Sequence, residues 1–177
     1  MEKADTGPGR HPQIHPSVFI ARGVRVYGEV RVAEGAGLWF NAVLRGDEGP
    51  IEIGRDTNIQ DNVVIHSDLG AAVIIGENVT VGHGAVIRAC RIEADVMIGM
   101  NATVMSHARI GAHSIVGANA LVPYNREFPP GSLIMGAPAR RVRALTDAEL
   151  VFNQAAVAVY KKLARQYRDG EITGISG

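Results

Sequence analysis

The sequence predicts a mainly β protein: a parallel β-helix of hexapeptide repeats followed by a C-terminal α-helix. The first observation is a six-residue aliphatic beat. It runs through Ile20, Val26, Val32, Leu38 and Leu44, then Ile53, Ile59 and Ile65, then Ile75, Val81 and Ile87. It resumes at Ile92, Ile98, Val104, Ile110, Val116 and Val122. The second is that Gly follows many of these residues (Gly54, Gly76, Gly82, Gly99, Gly111, Gly117) and a small or β-branched residue usually sits four on. The third is a switch to helical spacing near the end, at Phe152, Ala155, Ala156, Val159, Tyr160, Leu163 and Tyr167. A repeated hexapeptide is the signature of stacked coils, because six residues cannot bury an apolar face alone whereas stacked coils share one continuous column.

Each hexad reads as a short strand and a turn, and three hexads close one triangular coil. The aliphatic residue and the small residue four later point inward. Gly, Asn and Asp take the corners, where positive φ is needed. Seventeen such positions predict five to six coils. The chain then divides into an N-terminal arm (1–17, with Pro8, Pro12 and Pro16), a β-helix (18–124), an irregular exit (125–145, with Pro129, Pro130, Gly131 and Pro138) and the helix (146–170). Thr146-Asp147-Ala148-Glu149 is a capping-box pattern, and Gly170 supplies the C-terminal stop. The apolar stripe of this helix is expected to pack along the prism, in its own subunit or a neighbour.

Composition narrows the functional classes. With 18 Lys plus Arg against 18 Asp plus Glu in 177 residues, bulk charge points to neither nucleic acid nor an anionic membrane. One cysteine, Cys90, excludes an intrachain disulfide and fits a reducing cytoplasmic setting. Residues 1–10 carry no apolar segment that reads as a signal peptide, and no run reaches the roughly 18 apolar residues of a membrane span.

The beat also fixes register. Two steps are too long: Leu44 to Ile53 carries three extra residues, and Ile65 to Ile75 carries four. Discounting the second insertion, Ile65 and Ile87 lie 18 positions apart, which is one coil. Leu44 then falls one coil below and Val104 one coil above. The residues that follow them, Arg45, His66, Arg88 and Met105, form one vertical row on an edge of the prism. By the same count Ile59 lies under Val81, and Asp61 and His83 stack on a different edge. His66 and His83 therefore meet only if copies of the chain associate. A threefold assembly would bring His83 of one copy to His66 and Arg88 of the next.

Several ordered blocks resemble the γ-class carbonic anhydrases. They are Leu44-Arg45-Gly46-Asp47, Asn58-Ile59-Gln60-Asp61-Asn62, Val64-Ile65-His66, Val81-Gly82-His83-Gly84-Ala85, Ile98-Gly99-Met100 and the segment Pro130 to Ala139. The resemblance spans roughly Val18 to Thr146. It implies a left-handed β-helix, a homotrimer, and a zinc ion held by three histidines at each subunit interface. Two of the family's histidines fall on His66 and His83; the third falls on Arg88. The resemblance further implies that Gln60 orients the metal-bound hydroxide, that Asp47 and Asp61 belong to the hydrogen-bonding shell, and that Arg45 pairs with Asp47 between subunits.

Arg88 changes the expected chemistry. A catalytic zinc needs three neutral or anionic ligands and an open position, which lowers its water's pKa to about 7. An arginine stays protonated and offers no lone pair. Arg88 is instead expected to pair with Asp47, Asp61 or Asp68.

Three functions fit this pattern. One is a trimeric γ-carbonic anhydrase-like protein with impaired hydration activity, kept as a scaffold, or mixed with a paralogue that receives His83 into a complete site. Another is an enzyme in which His66 and His83 act as acid and base while Arg45 and Arg88 bind bicarbonate or a carboxylate. The last is a CoA-dependent acyltransferase, whose usual long histidine-bearing loop has no counterpart in these short insertions.

Overall fold

The computed structural model describes residues 11–175, so most of the predicted arm and the signal-peptide reading lie outside the described residues. The coils stack as parallel strands into a three-faced prism, and the inward columns follow the predicted register. One column is Val26, Leu44, Ile65, Ile87, Val104 and Val122. A second is Leu38, Ile59, Val81, Ile98 and Val116, with Ile20 in register below Leu38 but half exposed at the end of the prism. The third runs from Val32 through Ile53, Ile75 and Ile92 to Ile110. Leu38, Leu44, Ile59, Ile65, Ile87 and Ile98 are fully buried, as are small residues four positions on such as Ala42, Val63 and Ala85. Corner residues Asn41, Asp56, Asn62, Asn78, Asp95, Asn101, Asn119 and Asn125 take positive φ, and His107 and His113 do so too.

The solenoid is longer at both ends than the aliphatic beat predicts. Beyond Val122 the six-residue interval continues to Phe128, which pairs with Ile110, and to Ile134, which pairs with Val116. The exit is therefore ordered. Ser132–Gly136 and Ala139–Ala144 form an antiparallel pair that ends the prism, with a cis Ala137–Pro138 bond at the turn. Prolines 129 and 130 conceal this because an aromatic ring replaces the aliphatic at Phe128. At the other end Gln13–Ile14 pairs with Arg31–Val32, so part of the predicted arm is a strand. Two of the columns thus reach seven levels.

The three outward rows differ in chemistry. The face bearing Arg31, Glu52, Ile74, Arg91, Arg109 and Glu127 is charged and laced by ion pairs such as Arg31–Glu52 at 3.2 Å and Arg109–Glu93 at 2.9 Å. A second face is covered by the C-terminal helix, Asp147–Arg168, which meets the strands at Phe19–Ile20, Gly37–Leu38 and Thr80–Val81. The third carries Val43, Val64, Val86, Thr103 and Leu121 in register; the strand Ala139–Ala144 meets it at Leu121–Val122, and the helix makes its main contacts on the second face.

The helix begins as predicted, with a full capping box. The Thr146 hydroxyl accepts from the Glu149 amide, and the Glu149 carboxylate accepts from the Thr146 amide at 2.8 Å. Arg143 also pairs with that carboxylate at 2.7 Å, and this guanidinium together with the cap holds the Glu149 acid down at about 2. Replacing Thr146 by Ala is expected to cost about 1 kcal/mol, read as a lower thermal midpoint. The buried stripe differs from the expected one. Asn153 and Val157 are buried and Tyr160, Leu163 and Tyr167 pack on Phe19 and Trp39, whereas Phe152 and Val159 are exposed. Both stripes have helical spacing, and the aromatic recess formed by Phe19, Trp39 and Phe40 selects the one carrying the tyrosines.

Candidate functional site on two edges of the prism

The two insertions build the first edge. The extra residues between Gly46 and Ile51 and the Ser67–Ala71 turn stack on each other, tied by Gly49 N–H to Ser67 Oγ at 2.9 Å and Gly70 N–H to the Glu48 carbonyl at 3.3 Å. They carry Asp47, Glu48 and Asp68 to the row predicted from register. Arg45, His66 and Arg88 are paired level by level, as expected. His66 Nε2 lies 3.2 Å from Asp47 Oδ1 and 4.0 Å from Glu48 Oε2. Arg45 Nη1 donates to Asp47 Oδ2 at 2.6 Å, so the pair that the resemblance implies between subunits forms here within one chain. The hydrogen bond from Arg45 holds the Asp47 carboxyl below the usual carboxylate range.

Of the three acids considered for Arg88, Asp68 takes it. Arg88 Nη2 donates to Asp68 Oδ1, and Ser106 Oγ, two residues past Val104 in the next coil, donates to Asp68 Oδ2. These two hydrogen bonds, Ser106 first, hold the Asp68 acid low, and Asp68 in turn raises Arg88. Glu48, His66 and Asp68 each direct a donor atom to a common region, all within 4.8 Å of one another.

Cys90 is not available to this row. The short step from Ile87 to Ile92 is absorbed at Ala89, whose φ is 26°, and this turns Cys90 into the core. Burial pushes its thiol up to about 12, so it stays protonated and inert.

The second edge holds Gln60, Asp61 and His83. Asp61 Oδ2 contacts His83 Nδ1 at 3.0 Å, while its Oδ1 accepts the Phe40 amide at 3.0 Å. Gln60 is buried, accepts the His83 amide at 3.1 Å and donates to Asn58 at 3.1 Å. Tyr160 OH lies 3.2 Å from His83 Nε2, and burial raises that phenol. Sequence reasoning assigned Tyr160 only to the helix core, because the rotation of the helix on the prism cannot be read from spacing. Ser106 was missed because it lies two coils away from Asp68 and 38 residues along the chain.

Within one chain, then, Arg45, Asp47, His66 and Arg88 gather on one edge, and Gln60, Asp61 and His83 on another. This donor set does not fit the three-histidine zinc site that the resemblance implies. Arg88, in register beside His66 and ion-paired to Asp68, brings a fixed positive charge and no lone pair. Only His66 and His83 remain of the expected histidines, and they stand apart.

Fold and edges together define a hexapeptide-repeat β-helix with imidazole–carboxylate sites at its corners. A family model for the bacterial transferase hexapeptide (six repeats) matches residues 89–123. A Methanocaldococcus jannaschii protein named "Probable carbonic anhydrase" is 48% identical over 151 residues, covering 85% of this chain and 95% of that one. Gamma carbonic anhydrase 2, mitochondrial, of Arabidopsis thaliana is 38% identical over 162 residues, 88% of this chain and 58% of that longer protein. Among solved structures, a hexapeptide transferase family protein from Anaplasma phagocytophilum superposes with a TM-score of 0.83 at 34% identity, covering 88% and 92%. The chain belongs to the γ-class carbonic anhydrase family.

Proposed function

We propose that this chain is a homotrimeric, γ-carbonic anhydrase-like protein whose intersubunit site is impaired for CO2 hydration, and that it acts mainly as an assembly subunit in a cytoplasmic setting. The observation that carries the reading is Arg88, held by Asp68 in the row where the family pattern has its third histidine. The trimer is supported by the three faces. One is charged, one is covered by the helix, and the third presents an apolar row that a second copy would bury. Threefold closure places that row beside His66 and Arg88 of one copy and His83 of the next.

Asp61 and Tyr160 engage the two ring nitrogens of His83, and Gln60 accepts its backbone amide. A further role as donor of His83 in a mixed trimer would have Nε2 exchange Tyr160 for the metal while Asp61 holds Nδ1, with a relative carrying histidine in place of Arg88 supplying the other two ligands. The reading in which Arg45 and Arg88 bind bicarbonate has less support, since Asp47 and Asp68 already engage both guanidinium groups.

The test is metal content, CO2 hydration and light scattering on freshly purified protein, with acetyl-CoA consumption as a parallel assay. Background metal, background hydration and a trimeric mass are expected. Near-stoichiometric metal with rapid hydration would overturn the impairment, and acyl transfer from acetyl-CoA would replace it with the transferase reading.

A further inference from the structure

Arg88 does more than leave a ligand out. Its guanidinium lies at the centre of an edge that spans four successive coils: Glu48 on the level of Arg45, His66 and Asp68 above it, Arg88 next, and Ser106 on the level of Met105. Asp68 spends both oxygens there, one on Arg88 and one on Ser106. Glu48, His66 and Asp68 would carry surplus negative charge at this edge if Arg88 were absent.

We propose that the Arg88 guanidinium is the resident cation of this cluster, filling the electrostatic and bracing place of a divalent ion, and that Glu48, His66 and Asp68 form a latent divalent-cation site that Arg88 keeps closed. The donor chemistry fits. One imidazole nitrogen and two carboxylate oxygens are ordinary zinc or cobalt ligands. Ligand atoms around a tetrahedral ion at about 2.1 Å stand about 3.4 Å apart. The ligand atoms here lie within 4.8 Å of one another, wider than that, so binding an ion requires the side chains to draw inward. The guanidinium engages one carboxylate of the cluster, Asp68, through Nη2, while its Nε is buried with no hydrogen-bond partner among the described residues. This pairing also explains the position of Asp68, which the four-residue turn at 67–70 carries to this edge rather than into solvent.

This inference rests on the reading that the chain's ordinary metal centre does not form, and the experiment separates the two. The parent, Arg88→Leu, Arg88→Lys and the double variant Arg88→Leu/Asp68→Asn are each equilibrated with Co2+ and dialysed. Bound cobalt is read by metal content and by its visible absorption, and fold by circular dichroism. The parent and Arg88→Lys should stay at background, because both keep a positive charge in the cluster. Arg88→Leu should retain close to one Co2+ per chain and gain thermal stability from it. The double variant, which removes both charges of the pair and so tolerates the loss best, should return to background. A metal-free Arg88→Leu beside a metal-free parent would reduce Arg88–Asp68 to an ordinary ion pair and overturn this inference alone. The same holds if Arg88→Leu/Asp68→Asn binds as much cobalt as Arg88→Leu. A parent that itself retains cobalt would overturn the functional reading beneath it.

Discussion

Arg88→His is expected to raise bound zinc from background to near one ion per subunit, retained through dialysis and measured by elemental analysis. The argument is one of register and charge. Position 88 is locked opposite His66 by the ladder between adjacent coils, so a histidine there stands directly beside the first imidazole. A neutral ring replaces a guanidinium that cannot be deprotonated, which removes the repulsion of a dication and supplies a lone pair. His83 of the next subunit then completes a three-histidine set. Its dependence on that subunit is separately testable. Arg88→His/His83→Ala should bind little zinc alone, as should the parent. Co-assembled, the two chains should recover zinc, because the parent lends His83 to the row of the variant. Failure of the mixture beside success of the single variant would mean that the histidines meet within one chain. This dependence on His83 also distinguishes the Arg88→His site from the latent one, which depends on Asp68.

Val64→Asp with Val86→Asp should convert the proposed trimer to monomers of 18.8 kDa, seen by light scattering, without loss of β circular dichroism. Val64 and Val86 are adjacent in the ladder and point away from the core; Val64 is 40% exposed in the single chain. If a second copy covers this row, two aspartates stacked about 4.8 Å apart must be buried together without partners. The cost is several kcal/mol per charge, enough to dissociate an interface of ordinary size. The control is Ile74→Asp, on the charged face between Glu52 and Arg91, which should leave the mass unchanged. Equal dissociation by Ile74→Asp, or none by the valine pair, would move the interface to another face.

Much of this was legible in the chain because the repeat is both the fold and the ruler. A six-residue period makes every third hexad a vertical neighbour, so the level-by-level pairing of Arg45, His66 and Arg88 needs only counting and the two insertions. The corner conformations of Asn41, Asn62 and Asn101 follow from the tolerance of asparagine for positive φ. The beat was lost at Phe128, where an aromatic ring fills the aliphatic place and prolines follow.

Counting along a repeat says which residues share an edge, but not how far a loop folds over that edge. The sequence by itself determined the β-helix and the row through Arg45, His66 and Arg88. The tertiary structure decided that Arg88 chooses Asp68 over Asp47 and Asp61, that Ser106 joins it from the next coil, and that Tyr160 rather than Phe152 faces the prism. The physical reason is the range of the forces. Repeat register is set by local hydrogen bonds of fixed spacing, whereas ion-pair choice and helix rotation depend on side chains distant in sequence competing for the same few ångströms.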